Sequence, residues 1–133
     1  MTRKKTSSTP GYDVRHAKSG INASLPRLET WPNQFQGYEI TIEVPEYTAI
    51  CPKTGLPDFG LIRIIYTPDK QCVELKSLKM YIHGYRNIGI FYENAVNRIL
   101  RDLVDACRPV RATVIGDFTA RGGLSSKIEA NYP

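Results

Sequence analysis

The chain has 133 residues, of which 41% are hydrophobic and 23% charged, and its formal net charge is +5. That length builds one domain with a real core and is too short for two, and no apolar run approaches the roughly 20 residues that a membrane helix needs. The charge points only weakly to nucleic acid: residues 1–20 carry Arg3, Lys4, Lys5, Arg15 and Lys18 against Asp13, and the remaining 13 basic and 12 acidic residues nearly cancel.

Residues 1–30 are rich in Ser, Thr, Lys, Pro and Gly with little periodic apolar content, which predicts a flexible basic arm, ordered only where it docks, ahead of a single domain over 31–133. On that reading, removal of residues 1–20 leaves catalysis nearly intact. Alternation begins at Tyr38: Tyr38, Ile40, Ile42 and Val44 face one way, Glu39, Thr41 and Glu43 the other, as in a half-buried strand that Pro45 confines to an edge or an end. Residues 51–58 hold two prolines and a glycine and predict a shaped loop. Gly60 to Tyr66 reads as a second strand, closed by the turn signal Thr67-Pro68-Asp69-Lys70.

Helical spacing of Leu75, Leu78, Ile82 and Tyr85 predicts a helix near 74–85. A longer one near 91–107 collects Ala95, Val96, Ile99, Leu100, Leu103, Val104 and Cys107 on one face, leaves Asn94, Asn97, Arg98 and Arg101 outside, and stops before Pro109. Val110 to Phe118 alternates again, and Arg121-Gly122-Gly123 turns into a short last strand over 124–128. The order strand, strand, helix, helix, strand, strand is that of an α+β chain with an antiparallel sheet and helices on one face. Its two open sheet edges invite pairing with further copies, so a homo-oligomer is expected.

Three cysteines, Cys51, Cys72 and Cys107, cannot all pair, and none sits in a Cys-x-x-Cys spacing. The basic, polar N-terminus lacks the apolar stretch of a secretory signal, so reduced thiols in the cytoplasm are expected. His16 and His83 lie far from any cysteine in sequence, and no metal site is expected. Cys107 falls on an apolar helix face and packs as a small hydrophobe; Cys72 follows a turn and fits either exposure or packing. Cys51, on a Pro- and Gly-containing loop seven residues before Asp58, is the candidate nucleophile. A thiolate there needs nearby positive charge or a helix N-terminus, with Lys53 the local candidate, and Asp58 is the candidate acid partner.

Lys76 and Lys79 share a helix face near a helix N-terminus, which suits either a solvated surface or a phosphate group. Glu93, in the first turn of the longer helix, is favoured there by the dipole. Alternatively, it can accept two parallel hydrogen bonds from the N–H edge of a 2-amino-pyrimidinone ring.

Three motifs in order, Cys51-Pro-Lys-Thr-Gly-Leu-Pro-Asp58-Phe59, Glu74-Leu-Lys-Ser-Leu-Lys-Met-Tyr81 and Tyr85-Arg-Asn with Phe91-Tyr92-Glu93, resemble those of the NADPH-dependent 7-cyano-7-deazaguanine reductases of queuosine biosynthesis. The resemblance spans roughly residues 35–133. It implies the tunnelling fold (T-fold), with sheets joined between subunits into a barrel, a decamer of two pentamers and sites at subunit interfaces. It further implies reduction of a nitrile to an aminomethyl group through a thioimide on Cys51, with Asp58 as proton donor and two NADPH per turnover. Val73, Glu74, Leu75, Tyr92 and Glu93 match substrate-binding positions, and Lys76, Lys79 and Arg121 match cofactor contacts. Many relatives have histidine where this chain has Tyr92, which retains an aromatic surface but stays neutral near pH 7. A zinc-dependent GTP cyclohydrolase of the same fold would need a cysteine–histidine ligand set that is missing here. A small RNA-binding module would explain the N-terminal charge but not the balanced remainder, so neither nucleic acid nor membrane is an expected partner.

Overall fold

Side-chain alternation along four long strands sets the architecture. In the computed structural model, which describes residue 11 and residues 13–133, a short helix α1 (Val14–Ala17) precedes β1 (Thr30–Pro32), β2 (Ile40–Ile50), β3 (Pro57–Thr67) and β4 (Gln71–Val73). Helix α2 (Leu75–His83), a 3₁₀ turn (Gly84–Asn87) and α3 (Tyr92–Cys107) follow, and β5 (Arg111–Arg121) and β6 (Leu124–Tyr132) complete the chain. The main sheet has the order β2-β3-β5-β6 and is antiparallel throughout, while β1 and β4 pair as a separate two-stranded ribbon.

On β3 every even position from Asp58 to Tyr66 is buried, and Ala112, Val114, Gly116 and Phe118 of β5 continue the same face. The α3 residues Ala95, Val96, Ile99, Leu103 and Cys107 pack against it. Each large apolar side chain removed from water in this way stabilises the fold by roughly 1.5–3 kcal/mol. Helix α3 ends at Arg108, whose φ of 47° is left-handed, immediately before Pro109, which cannot continue a helix. Among the described residues no helix is long and apolar enough to cross a membrane.

The structure settles or corrects several expectations. Of the two places open to Pro45, the edge is the one observed: β2 is an edge strand, its register against β3 shifts between Val44 and Tyr47, and the strand continues to Ile50. This bulge changes parity, so Ile42 and Val44 face inward before it and Tyr47 and Ala49 after it. Asp58 lies not on a loop but in β3, opposite Ala49 and on the buried face. The ribbon of β1 and β4 has no periodic signature because each strand has only three residues. Helix α2 is shorter than expected and gives way to the 3₁₀ turn at Gly84, and Leu75 at its start is 61% exposed. The last strand runs on to Tyr132.

Arg98 is the sharpest departure. Expected outside, it is 8% exposed, because the segment preceding β1 covers it. Of the residues expected to form an arm, 1–10 and 12 lie outside the described residues; part of the remainder lies against the helices. Ala23, Leu25 and Leu28 pack on the core, and α3 side chains hold the backbone: Asn94 donates to the Ala17 carbonyl (2.7 Å), Arg101 to that of Ile21 (2.9 Å), and Arg98 to those of Gly20 (2.7 Å) and Ala23 (2.6 Å).

Candidate active site

Cys51 follows β2 directly and opens a tight turn. Its N–H donates to the Leu56 carbonyl and its carbonyl accepts from the Gly55 N–H, both at 2.9 Å; Gly55, at φ 73°, takes the left-handed conformation that the turn requires. The turn surrounds the sulfur with donors. Burial works to raise the Cys51 pKa, but the Thr54 hydroxyl and the backbone N–H groups of Thr54 and Lys53 outweigh it, and the thiol lies below its ordinary value despite the opposing charge of Asp58. Lys53 thus contributes through its backbone. Thr54, missed as a functional residue, is visible in retrospect three positions after the cysteine and just before the turn glycine.

A parallel strap passes behind this turn. Ile50 N–H donates to the Ile88 carbonyl and Ile90 N–H to the Ile50 carbonyl, both at 3.0 Å. The backbone position of Cys51 is therefore held on two sides, by the β2–β3 pairing and by residues 88–90.

Asp58 faces the core at the same end of the sheet. Its Oδ1 accepts from Arg121 Nη1 at 2.6 Å and from the Tyr92 hydroxyl at 3.1 Å. Arg121 also donates to the Pro57 carbonyl at 2.6 Å, so it is locked to the start of β3. Tyr92 lies flat on Phe118, with centroids 4.0 Å apart and planes at 7°. Phe118 finds room because glycines stand around it on the buried face: a Cβ on Gly60 would come within 2.8 Å of its ring, and one on Gly116 within 2.7 Å. Burial first, then the charge and hydrogen bond of Asp58, raise the Tyr92 pKa, so the phenol stays neutral and acts as a donor. Cys51, Asp58, Tyr92 and Arg121 thus form one electrostatically linked group. Phe118 is the member that sequence reasoning missed, although its alternation with Gly116 and Val114 already placed it inward.

Glu93 is exposed in the first turn of α3 and lines an open hollow of about 710 Å³ with Asp13, Val14, Ala17, Phe91 and Asn94. The other expected binding residues are elsewhere in the chain's own frame. Val73 is buried and donates its N–H to the Tyr66 hydroxyl at 3.0 Å. Tyr66 is eight residues along β3 from Asp58, about 26 Å at the usual strand rise. Glu74 caps α2, its carboxylate accepting from Lys76 N–H (2.9 Å) and Ser77 N–H (2.7 Å); these backbone bonds, Lys76 first, hold its pKa below the ordinary value. Leu75 and Lys76 are exposed beside it. Lys79 lines a mostly apolar groove of about 380 Å³ between α2 and the edge strand β2, together with His83 and Arg86. No group of three or more His, Cys, Asp or Glu among the described residues is placed to hold a metal ion.

Residues 57–133 match a family profile described as QueF-like protein. The chain is 58% identical over 123 residues to the NADPH-dependent 7-cyano-7-deazaguanine reductase of Elusimicrobium minutum, covering 92% of this chain and 93% of the relative. It is 53% identical over 107 residues to the enzyme of the same name from Chlorobaculum tepidum, covering 79% and 92%. Among solved structures, the apo form of the archaeosine synthase QueF-Like shares the fold, with a TM-score of 0.68 over 73% of this chain and 95% of that one, at 16% identity.

Proposed function

The chain belongs to the family of NADPH-dependent 7-cyano-7-deazaguanine reductases, and from that premise we propose that Cys51 and Asp58 carry out its nitrile reduction in the queuosine pathway. The observation that carries this reading is the convergence of an activated thiol, a carboxylate, a phenol and a guanidinium at one end of the sheet.

A nitrile carbon is a mild electrophile. The Cys51 thiolate adds to it, and in this reading Asp58 takes the thiol proton and passes it to the nitrile nitrogen, which leaves a neutral thioimide. Once the thioimide carbon has been reduced to a tetrahedral adduct, the C–S bond breaks, Cys51 leaves as thiolate, and an imine remains for the second reduction, in which the carbon gains a hydride and the nitrogen a proton from solvent to give the aminomethyl product. Tyr92 and Arg121 hold the Asp58 carboxylate on the reacting side throughout. Glu93 is the acceptor that fits the N–H edge of the deazaguanine ring.

NADPH supplies a hydride at each of the two reduction steps. The residues that suit an anionic cofactor are Lys76 and Lys79, exposed on α2, and Arg121, which is 41% exposed and so retains surface for a phosphate group.

The separation of Val73, Glu74 and Leu75 from Asp58 within one chain supports a site shared between copies, each supplying one half. Edges β2 and β6 are the strands through which copies would extend the sheet into a barrel. A decamer of two pentamers is the assembly proposed, a T-fold barrel in which residues 31–133 form the catalytic domain, and native mass spectrometry reads the number directly. The three free cysteines suit a reducing, cytoplasmic setting.

The decisive experiment mixes the protein with 7-cyano-7-deazaguanine in the absence of NADPH and records the intact mass. An increase of one ligand that is missing from Cys51→Ala supports the thioimide; turnover by Cys51→Ala would sink it.

A further inference from the structure

The segment around Ser19 and Gly20 presses on the strap that fixes Cys51. Ser19 Oγ donates to the Gly89 carbonyl at 2.7 Å. Gly20 sits at φ 81°, and a Cβ there would come within 2.6 Å of the Gly89 carbonyl, 2.7 Å of Ile90 Cβ and 2.9 Å of Ile88 Cγ2. The strap in turn brackets Ile50 through the two hydrogen bonds of Ile88 and Ile90, and Gly89 lies against the backbone of Pro52: a Cβ on it would be 3.6 Å from the Pro52 Cα. Residues on both sides of Cys51 are therefore in contact with a strap whose back is closed by Ser19 and Gly20.

That closure is anchored. The Gly20 and Ala23 carbonyls are gripped by Arg98 (2.7 and 2.6 Å), whose Nε bonds Asp102 Oδ2 at 3.1 Å. Arg98 projects from α3, the helix whose first turn bears Tyr92 and Glu93. One buried arginine thus ties the N-terminal segment to the helix that carries two candidate binding residues.

We infer that Ser19 and Gly20, clasped by Arg98, are positioning residues that set the backbone of the Cys51 turn and so the reactivity of its thiol. This rests on Cys51 being the nucleophile. The physical reason is that the donors to sulfur, Thr54 and the N–H groups of Lys53 and Thr54, act over hydrogen-bond distances, where a shift of a few tenths of an ångström weakens them.

Two glycines provide a matched test. Gly37 has nearly the same φ as Gly20, 78° against 81°, but a Cβ on it meets nothing within 4 Å. Gly20→Ala and Gly37→Ala therefore carry the same backbone strain, and only the first displaces the strap. The full-length variants, with Ser19→Ala, are alkylated with iodoacetamide from pH 5 to 9.5, and Cys51 modification is followed by peptide mass spectrometry. Gly20→Ala is expected to slow modification at pH 7 about tenfold and to move the profile about one pH unit upward, since each unit is a tenfold change in thiolate; Ser19→Ala gives a smaller shift of the same sign, and Gly37→Ala stays within about twofold of the parent. Equal profiles for Gly20→Ala and Gly37→Ala would overturn the inference. If Gly20→Ala fails to fold, Ser19→Ala decides, and a profile unchanged from the parent overturns it. A parent that forms no adduct with the nitrile sinks the Cys51 mechanism instead, and that outcome is read independently of the alkylation profiles.

Discussion

The Tyr92 hydroxyl reaches Asp58 Oδ1 at 3.1 Å while its ring lies 4.0 Å from that of Phe118. Stacking and hydrogen bonding are separable there. Tyr92→Phe retains the stack and loses the donor, with an expected stability loss of about 1 kcal/mol and adduct formation within about tenfold of the parent. Tyr92→Ala loses both and is destabilised further by about 1 kcal/mol or more. Urea unfolding with intact-mass kinetics separates the two; a Tyr92→Phe protein that forms no adduct would give the phenol a role in proton transfer.

Asp58→Asn preserves the shape of the carboxylate but cannot relay a proton. Turnover is expected to fall by roughly 10²–10⁴, whereas the adduct, given time, still accumulates. The amide also loses the ion pair with Arg121, so the KM for NADPH is a second readout. Turnover near that of the parent would remove Asp58 from the mechanism.

Cys51 and Cys107 should titrate apart. Donors around Cys51 hold its pKa down against burial and Asp58, so its alkylation profile lies at lower pH than that of Cys107. Burial is the main cause that pushes Cys107 up to about 11, and Cys72 is buried. A thiol reagent at neutral pH should therefore modify one cysteine per folded chain and three in denaturant. For Cys107 the sign is that of a group whose neutral form the fold prefers: its contribution is complete below the ordinary thiol value and is lost as pH rises toward about 11. Thermal melts in that window should fall less steeply for Cys107→Ala.

Asp102 joins three donors: the Tyr81 hydroxyl at 2.6 Å and Arg98 Nε at 3.1 Å on Oδ2, and Arg101 Nε at 3.3 Å on Oδ1. Tyr81 in turn shares a hydrogen bond of 2.8 Å with Tyr85, and burial raises the pKa of both phenols well above the usual range. Asp102→Ala leaves the buried Arg98 charge without its carboxylate and should cost about 3 kcal/mol or more, read by chemical denaturation. A loss below about 1 kcal/mol would mean that the backbone carbonyls alone satisfy the guanidinium.

Much of this molecule was legible from local pattern. Alternation over Ile40–Val44, Ile62–Tyr66 and Ala112–Phe118 and the apolar stripe of α3 identify the main elements, because the periods of strand and helix are written in neighbouring residues. The turn chemistry around Gly55 marks Cys51 for the same reason. What the sequence could not determine is which faces meet. The bulge at Pro45 inverts the parity of β2, and the strand extends beyond it. Asp58 turns inward through its register with Ala49, and Arg121 closes on it from 63 residues away. Arg98 looks like a solvent-facing position on its helix and becomes buried only because a segment 75 to 78 residues earlier lies across it. Periodicity is a property of a short stretch of chain, whereas register and burial are set by the whole packed structure, and only the tertiary fold decides them.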